Sequence, residues 1–128
     1  WTMHKKVLPI TGTGEETRDF TFVEDIVDGT LRMGAVKDAV GEAVNLASET
    51  ETRVIDLAKW INGFNGGESE IVFGSRRYWD QVVKRRASIE KARGVLGYEP
   101  RTDIHSGLKR TYEWISENRD KIEACAGF

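Results

Sequence analysis

Three side chains in this sequence have the types and the separation to do chemistry together: Arg18, Arg77 and Asp80. Arg18 lies in the stretch Gly-Thr-Gly-Glu-Glu-Thr-Arg-Asp-Phe-Thr-Phe-Val-Glu-Asp at residues 12–25, where a polar glycine loop hands one arginine to an aromatic and β-branched run. Far downstream, Arg76-Arg77-Tyr78-Trp79-Asp80 sets two guanidinium groups beside two aromatic rings and a carboxylate. A guanidinium is planar and permanently charged, and its paired donors match phosphate oxygens two at a time. Two such groups converging from distant parts of a chain make a pincer for a diphosphate. Arg76 is the alternative to Arg77, because one sequence does not fix the register between adjacent arginines. The pattern is a binding signature and is incomplete as an enzyme.

The other reactive residue types do not assemble. His4 and His105 are each alone, and a general base or a metal ligand needs partners that converge on it. Cys125 is the single cysteine, so there is no intrachain disulfide and no metal-ligand spacing, and it reads as an inert tail residue. Gly12-x-Gly14 lacks a third glycine and precedes an arginine-aromatic run, which marks a loop and not a dinucleotide turn. Trp60 and Trp114 read as core residues, whereas Trp79, between Arg77 and Asp80, is placed to touch a ligand.

The elements that must position these residues are legible in outline. Val7–Thr11 reads as a short strand whose Pro9 suits an edge. Val23, Ile26, Val27 and Leu31 fall on one helical face, with Glu24 and Asp25 in the first turn and Gly34 as a stop. The apolar run Ala43–Ala47 predicts a strand buried on both faces, and Ser48–Thr52 a turn. Val54, Leu57, Ala58 and Ile61 restore helical spacing until Gly63-Phe64-Asn65-Gly66-Gly67 breaks it. Glu70–Gly74 is a further strand, with the arginine pair at its end. Ser88 is expected to cap a helix that Gly97 ends, and Asp103 to cap a last helix with an apolar stripe from Ile104 to Ile122. The order strand, helix, strand, helix, strand, helix, helix predicts a mixed α/β fold.

Size and charge exclude some functions. The chain has 128 residues, 39% hydrophobic and 31% charged, enough for one small domain with a modest core. A net charge of −2 offers no global attraction for nucleic acid, and the basic cluster at 84–86 reads as a solvated surface. No apolar run approaches the ~20 residues of a bilayer span, and the N-terminus lacks the order of a signal peptide. The expectation is a soluble, cytoplasmic protein.

Five ordered blocks resemble the C-terminal part of nucleotide-sugar epimerases and dehydratases, the extended branch of the short-chain dehydrogenase/reductases. They are the 12–25 stretch, Val-Asn-Leu-Ala-Ser at 44–48, the Arg-x-x-Asp of Arg77 and Asp80, Lys-Ala-Arg-Gly-Val-Leu-Gly-Tyr-Glu-Pro at 91–100, and Gly-Leu-x-x-Thr-x-x-Trp from Gly107 to Trp114. The resemblance implies that Arg18 and Arg77 grip the diphosphate of a nucleotide-linked sugar, such as a UDP-sugar, while Asp80 accepts from the ribose hydroxyls. It further implies an α/β fold made of the edge of a Rossmann-type parallel sheet plus a small substrate-binding lobe. Ser88 departs from relatives that carry aspartate there, and is given no ligand role.

The resemblance also shows what to look for in vain. The family's NAD sits on an N-terminal Rossmann half with a glycine-rich turn, and its chemistry uses a Tyr-x-x-x-Lys pair; here Tyr78, Tyr98 and Tyr112 are followed four positions on by Val82, Thr102 and Ser116. Residues 1–128 are therefore expected to be a substrate-binding part lacking its NAD-binding half. By itself it would bind no cofactor and carry no catalysis, and its open sheet edge would pair with another copy, exchange an element, or be covered by its own N-terminal segment. The alternative is a non-catalytic scaffold or regulatory module that keeps the fold.

Overall fold

The computed structural model describes residues 1–126. After a 3-10 turn at Thr2–His4 come β1 (Leu8–Thr11), β2 (Thr17–Asp19), α1 (Val23–Ala35) and a second 3-10 turn at Lys37–Ala39. There follow β3 (Glu51–Arg53), α2 (Val54–Gly63), β4 (Ile71–Gly74), α3 (Glu90–Leu96), α4 (Ile104–Glu117) and α5 (Arg119–Ala126). The strands form two pairs: β1 runs parallel to β4 with Leu8 opposite Ile71, and β2 runs antiparallel to β3 with Arg18 opposite Thr52.

The parallel pair forms because the chain between its strands folds back over it. α2 lays Ile55 and Ala58 on Ile10, and these three are the buried centre of one apolar cluster. The return to β4 is set by Asn62, a buried side chain that copies a backbone pairing: its Nδ2 donates to Ser69 O at 2.8 Å and its Oδ1 accepts from Ser69 N at 3.1 Å. Gly66 and Gly67 take the positive φ values of 81° and 74° that this closure requires. A second cluster, around Tyr98, Ile89, Ala92 and Leu96, joins α3 to the end of α1 and to Ala47.

The antiparallel pair has no apolar side to hold it, being Thr-Arg-Asp against Glu-Thr-Arg. Asp19 supplies the anchor. Its Oδ1 accepts from Ser48 N (3.0 Å) and Ser48 Oγ (2.6 Å), and its Oδ2 from Glu49 N (3.1 Å) and Ala87 N (3.3 Å). One carboxylate thus ties β2 to the segment before β3 and to the segment before α3.

The structure corrects several expectations. Residues 43–47 form no strand. Ala47 is buried in the Tyr98 cluster, yet its carbonyl accepts from Tyr98 Oη (3.2 Å), and the next amide, Ser48 N, donates to Asp19 and Thr21. Side chains replace the ladder, because apolar continuity reports burial and not pairing. The predicted turn over 48–52 gives way to β3 at its end. The Val23, Val27 and Leu31 face of α1 points outward, with Leu31 69% exposed. The inward face carries Asp25, which accepts from Arg101 N and Thr102 N at 3.1 Å each, and Gly29, where a Cβ would meet Leu46 at 2.6 Å. Trp114 is exposed, not core. Ile89, not Ser88, is the N-cap residue of α3, and the last helical stripe is divided at Asn118 into α4 and α5. The Gly97 stop (φ 60°) and the Asp103 cap, accepting from His105 N and Ser106 N, stand as read.

Two stability outcomes follow from these anchors. Asp19→Ala takes the acceptor from the Glu49 and Ala87 amides and the Ser48 hydroxyl at a partly buried site and should cost about 2–3 kcal/mol in urea unfolding, with Asp19→Asn falling between. Burial, then the carboxylates of Asp25, Asp19 and Asp28, raise the Tyr98 hydroxyl above its ordinary range. A group raised in the folded state gives its stability in full below the unfolded value of about 10 and loses it as pH climbs further. Unfolding midpoints should therefore fall above that pH, and more steeply than in Tyr98→Phe.

Candidate functional site

The site is built where the two strand pairs meet. The loop after β1 turns through Gly12 (φ 101°) and Gly14 (φ 81°), conformations that L side chains rarely adopt. The carbonyls of Gly14 and Glu16 then take the first amides of α2, Ile55 N at 2.9 Å and Val54 N at 3.0 Å, so the loop caps that helix. Within it the buried Glu16 carboxylate accepts from Gly14 N (2.9 Å), Thr13 N (3.3 Å) and Thr13 Oγ1 (3.3 Å). These bonds deliver β2 at a fixed angle. Strand alternation then sends Asp19 to its anchor and Arg18 to the other side.

Arg18 and the Arg76–Asp80 segment face each other across a cleft of about 200 Å³ whose lining includes Glu16, Arg18, Arg76, Arg77 and Asp80. Arg18 Nη2 pairs with Asp80 Oδ2 at 3.1 Å, and its Nη1 donates to Thr17 O (2.7 Å) and more weakly to Val83 O (3.4 Å). Neither neighbouring acid, Asp19 nor Glu24, pairs with it. Arg76 donates from Nε to Asp80 O at 2.8 Å, while its Nη2 is buried without any hydrogen-bond partner. Arg77 is exposed at the rim, and its side chain makes no hydrogen bond or ion pair among the described residues. The three sequence-predicted site residues, far apart along the chain, thus line one cavity, with Arg76 beside them.

Two participants escaped the sequence reading. Arg85 Nη2 holds the second Asp80 oxygen at 2.9 Å, so the 84–86 cluster is not only solvated surface. No sequence signal marked it, because its place is set by backbone pairing: Thr17 N donates to Val83 O and Arg85 N to Thr17 O, which runs this segment along β2. Glu16 is the other, and its signal was an acid placed just after two loop glycines. Its own amide and those of Thr13 and Gly14 hold its carboxyl below the ordinary carboxylate range despite its burial.

The glycine loop does not fit a dinucleotide pyrophosphate. A Cβ at Gly12 would meet Glu16 Oε1 at 2.4 Å, so the Glu16 carboxylate fills the hollow, and the Thr13 and Gly14 amides are spent on it. The loop leads into β2 and not into a helix that could point its N-terminus at phosphate. The two histidines are occupied elsewhere, His4 against Glu123 at 2.8 Å and His105 against the Trp60 ring at 4.2 Å. Among the described residues no cluster of three or more His, Cys, Asp or Glu could hold a metal, and no helix is long and apolar enough to cross a membrane.

Known proteins resemble this chain in sequence and in fold. The profile of the NAD dependent epimerase/dehydratase family matches residues 2–47. An epimerase of Methanothermobacter thermautotrophicus, 47% identical, superposes with a TM-score of 0.94 over 97% of this chain and 37% of its own. The chain belongs to the NAD-dependent epimerase/dehydratase family. A UDP-glucuronate 4-epimerase of Thermodesulfobacterium geofontis is 30% identical over 97% of this chain and 38% of its own. The Bordetella bronchiseptica enzyme WbmF, 38% identical with a TM-score of 0.81 over 96% of this chain and 36% of its own, has been solved with NADH and with NAD+ and UDP. The α/β fold is that of the extended short-chain dehydrogenase epimerases, and the chain spans about a third of the length of these relatives.

Because Glu16 is lowered in the folded state, it stabilises the loop above the unfolded value of about 4.3 and ceases to as pH falls through the folded value. Urea midpoints followed from pH 6 to pH 3 should drop more in the unsubstituted chain than in Glu16→Gln, which has no such proton to take up.

Proposed function

We propose that this chain is the nucleotide-sugar-gripping part of an NAD-dependent sugar-nucleotide epimerase or dehydratase, and that Arg18, Arg77 and Asp80, joined by Arg76, form its diphosphate and ribose site. The observation that carries the reading is the Arg76 Nη2, a buried cationic donor with nothing to bond, on a side chain that lines the cavity shared with Arg18. A buried unpaired donor is costly, and a phosphate oxygen would satisfy it with a charge-assisted bond. Asp80 acts as the counter-ion in the ligand-free cleft, held by Arg18 and Arg85. When a diphosphate takes over the guanidinium groups, the carboxylate is released to accept from a vicinal diol.

In this reading the chain binds and orients the substrate, while the NAD supplies reversible hydride acceptance from a part of the enzyme that this chain does not include. A solved relative supports the ligand class: a Thermotoga maritima UDP-glucose 4-epimerase solved with UDP-glucose is 29% identical with a TM-score of 0.83. The outward apolar face of α1, with Val23, Val27 and Leu31 exposed, is the kind of surface that the remaining part of such an enzyme would cover.

Calorimetry with UDP tests the reading. Arg18→Ala and Arg77→Ala should each weaken binding roughly ten- to a hundredfold, the worth of a charge-assisted bond, and raised salt should weaken it further. Arg76→Ala beside Arg77→Ala shows which arginine of the pair carries more. Unchanged UDP affinity in the Arg18→Ala, Arg77→Ala double variant would refute the site.

A further inference from the structure

Asp80 is held twice, by its main chain and by its side chain. Its amide donates to Arg77 O at 3.1 Å and its carbonyl accepts from Arg76 Nε at 2.8 Å, so both of its backbone polar groups are tied down. What remains to be set is the direction of the carboxylate, and two arginines set it. Arg18 Nη2 holds Oδ2 at 3.1 Å and Arg85 Nη2 holds Oδ1 at 2.9 Å.

The two arginines differ in their access to the cleft. Arg18 lines it together with Asp80, whereas Arg85 is not among the described residues that line it and belongs to a neighbouring open groove with Lys84 and Arg86. An anion in the cleft thus meets Arg18 and not Arg85. The placement of Arg85 is nonetheless fixed to the same frame. Thr17 N donates to Val83 O at 2.9 Å and Arg85 N donates to Thr17 O at 3.2 Å, which pins this backbone to β2 one residue before Arg18. The Arg85 side chain is 54% exposed, and an ion pair that open adds little to stability. What the pair does decide is which carboxylate oxygen is left to the side of the cleft.

We propose that Arg85 is a positioning residue for Asp80: when a diphosphate draws Arg18 away, Arg85 keeps Oδ1, and Oδ2 stands open to accept from the ribose hydroxyls. The carboxylate then needs no reorientation, and the charge it loses from Arg18 is still balanced by a cation that the ligand does not touch. The inference rests on the assignment of Asp80 to the ribose made above and adds the residue that makes Asp80 ready for it.

Calorimetry on the full chain with UDP and with 2′,3′-dideoxy-UDP tests the role, because the ratio of the two affinities reads the ribose contact. Phosphates and base are common to both probes, so a general loss of positive charge or of stability moves the two affinities together and leaves the ratio as it was. In the unsubstituted chain UDP should bind about tenfold or more tightly than its dideoxy form, the worth of hydrogen bonds to a charged acceptor. Arg85→Ala should bring that ratio down to roughly two- to threefold as the acceptor loses its alignment. Arg85→Lys, which keeps the charge on a looser stem, should restore part of it. In an Asp80→Ala background Arg85→Ala should change the ratio no further, since its effect passes through that carboxylate. A ratio kept at its full value in Arg85→Ala would overturn the positioning role and leave the Asp80 assignment standing. A ratio near one already in the unsubstituted chain, or no binding of UDP at all, would refute the ribose or diphosphate assignment first and the positioning role with it. The Arg85 side chain is exposed and its backbone bonds survive substitution, so the variants should fold, and an unaltered urea midpoint checks that they do.

Discussion

Everything in the site depends on how a three-residue strand with no apolar side is kept in place. β2 is anchored by the Asp19 carboxylate, which takes four hydrogen bonds from residues 48, 49 and 87. Ion pairing is not what makes this carboxylate useful; multiple neutral donors from two other segments fix its position and, through it, the strand's rotation. Because successive side chains on a strand face opposite ways, fixing Asp19 on one side fixes Arg18 on the other. The anchor and the proposed phosphate ligand are adjacent residues for that reason, and the motif Arg18-Asp19 is a single mechanical unit.

The positive charge of the cleft is partly offset from within. Arg18 and Arg85 share the two oxygens of Asp80, while Glu16 keeps its charge turned toward loop amides. The Asp80 carboxylate lessens the mutual repulsion of the guanidinium groups around it. Arg76 Nη2 and the Arg77 side chain are left without a bonding partner among the described residues.

The sequence disclosed much of this where chemistry and propensity agree. Pro9 and the apolar residues of β1 and β4, the helical spacing of α2, the Gly97 stop and the Asp103 cap were all legible, since each rests on a local preference. The convergence of Arg18 with Arg77 and Asp80 was legible only as a resemblance, because no local rule brings residues 62 apart into contact. The failures have one origin. Residues 43–47 read as a strand because they are apolar, and β2 and β3 did not because they are polar, whereas pairing here is decided by Asp19, Thr21 and Tyr98 bonding to backbone groups. Side-chain-to-backbone bonding of that kind leaves no periodicity to read. The outward turn of the α1 stripe was hidden for a related cause: its inward face is a carboxylate and a glycine, not an apolar row.

The proline in β1 has a directional effect on the sheet. Leu8 N donates to Glu70 O and Gly12 N to Gly74 O, so the even-numbered amides of this stretch point at β4 and the odd-numbered positions face the other way. Pro9 therefore removes a donor from the outer rim of β1 and costs nothing in the pairing with β4. The flank beyond β1 is left a poor template for any incoming strand, while the flank beyond β4 keeps its donors. The two-stranded sheet is thus polarised: it can be lengthened sideways past β4 and is blunted past β1.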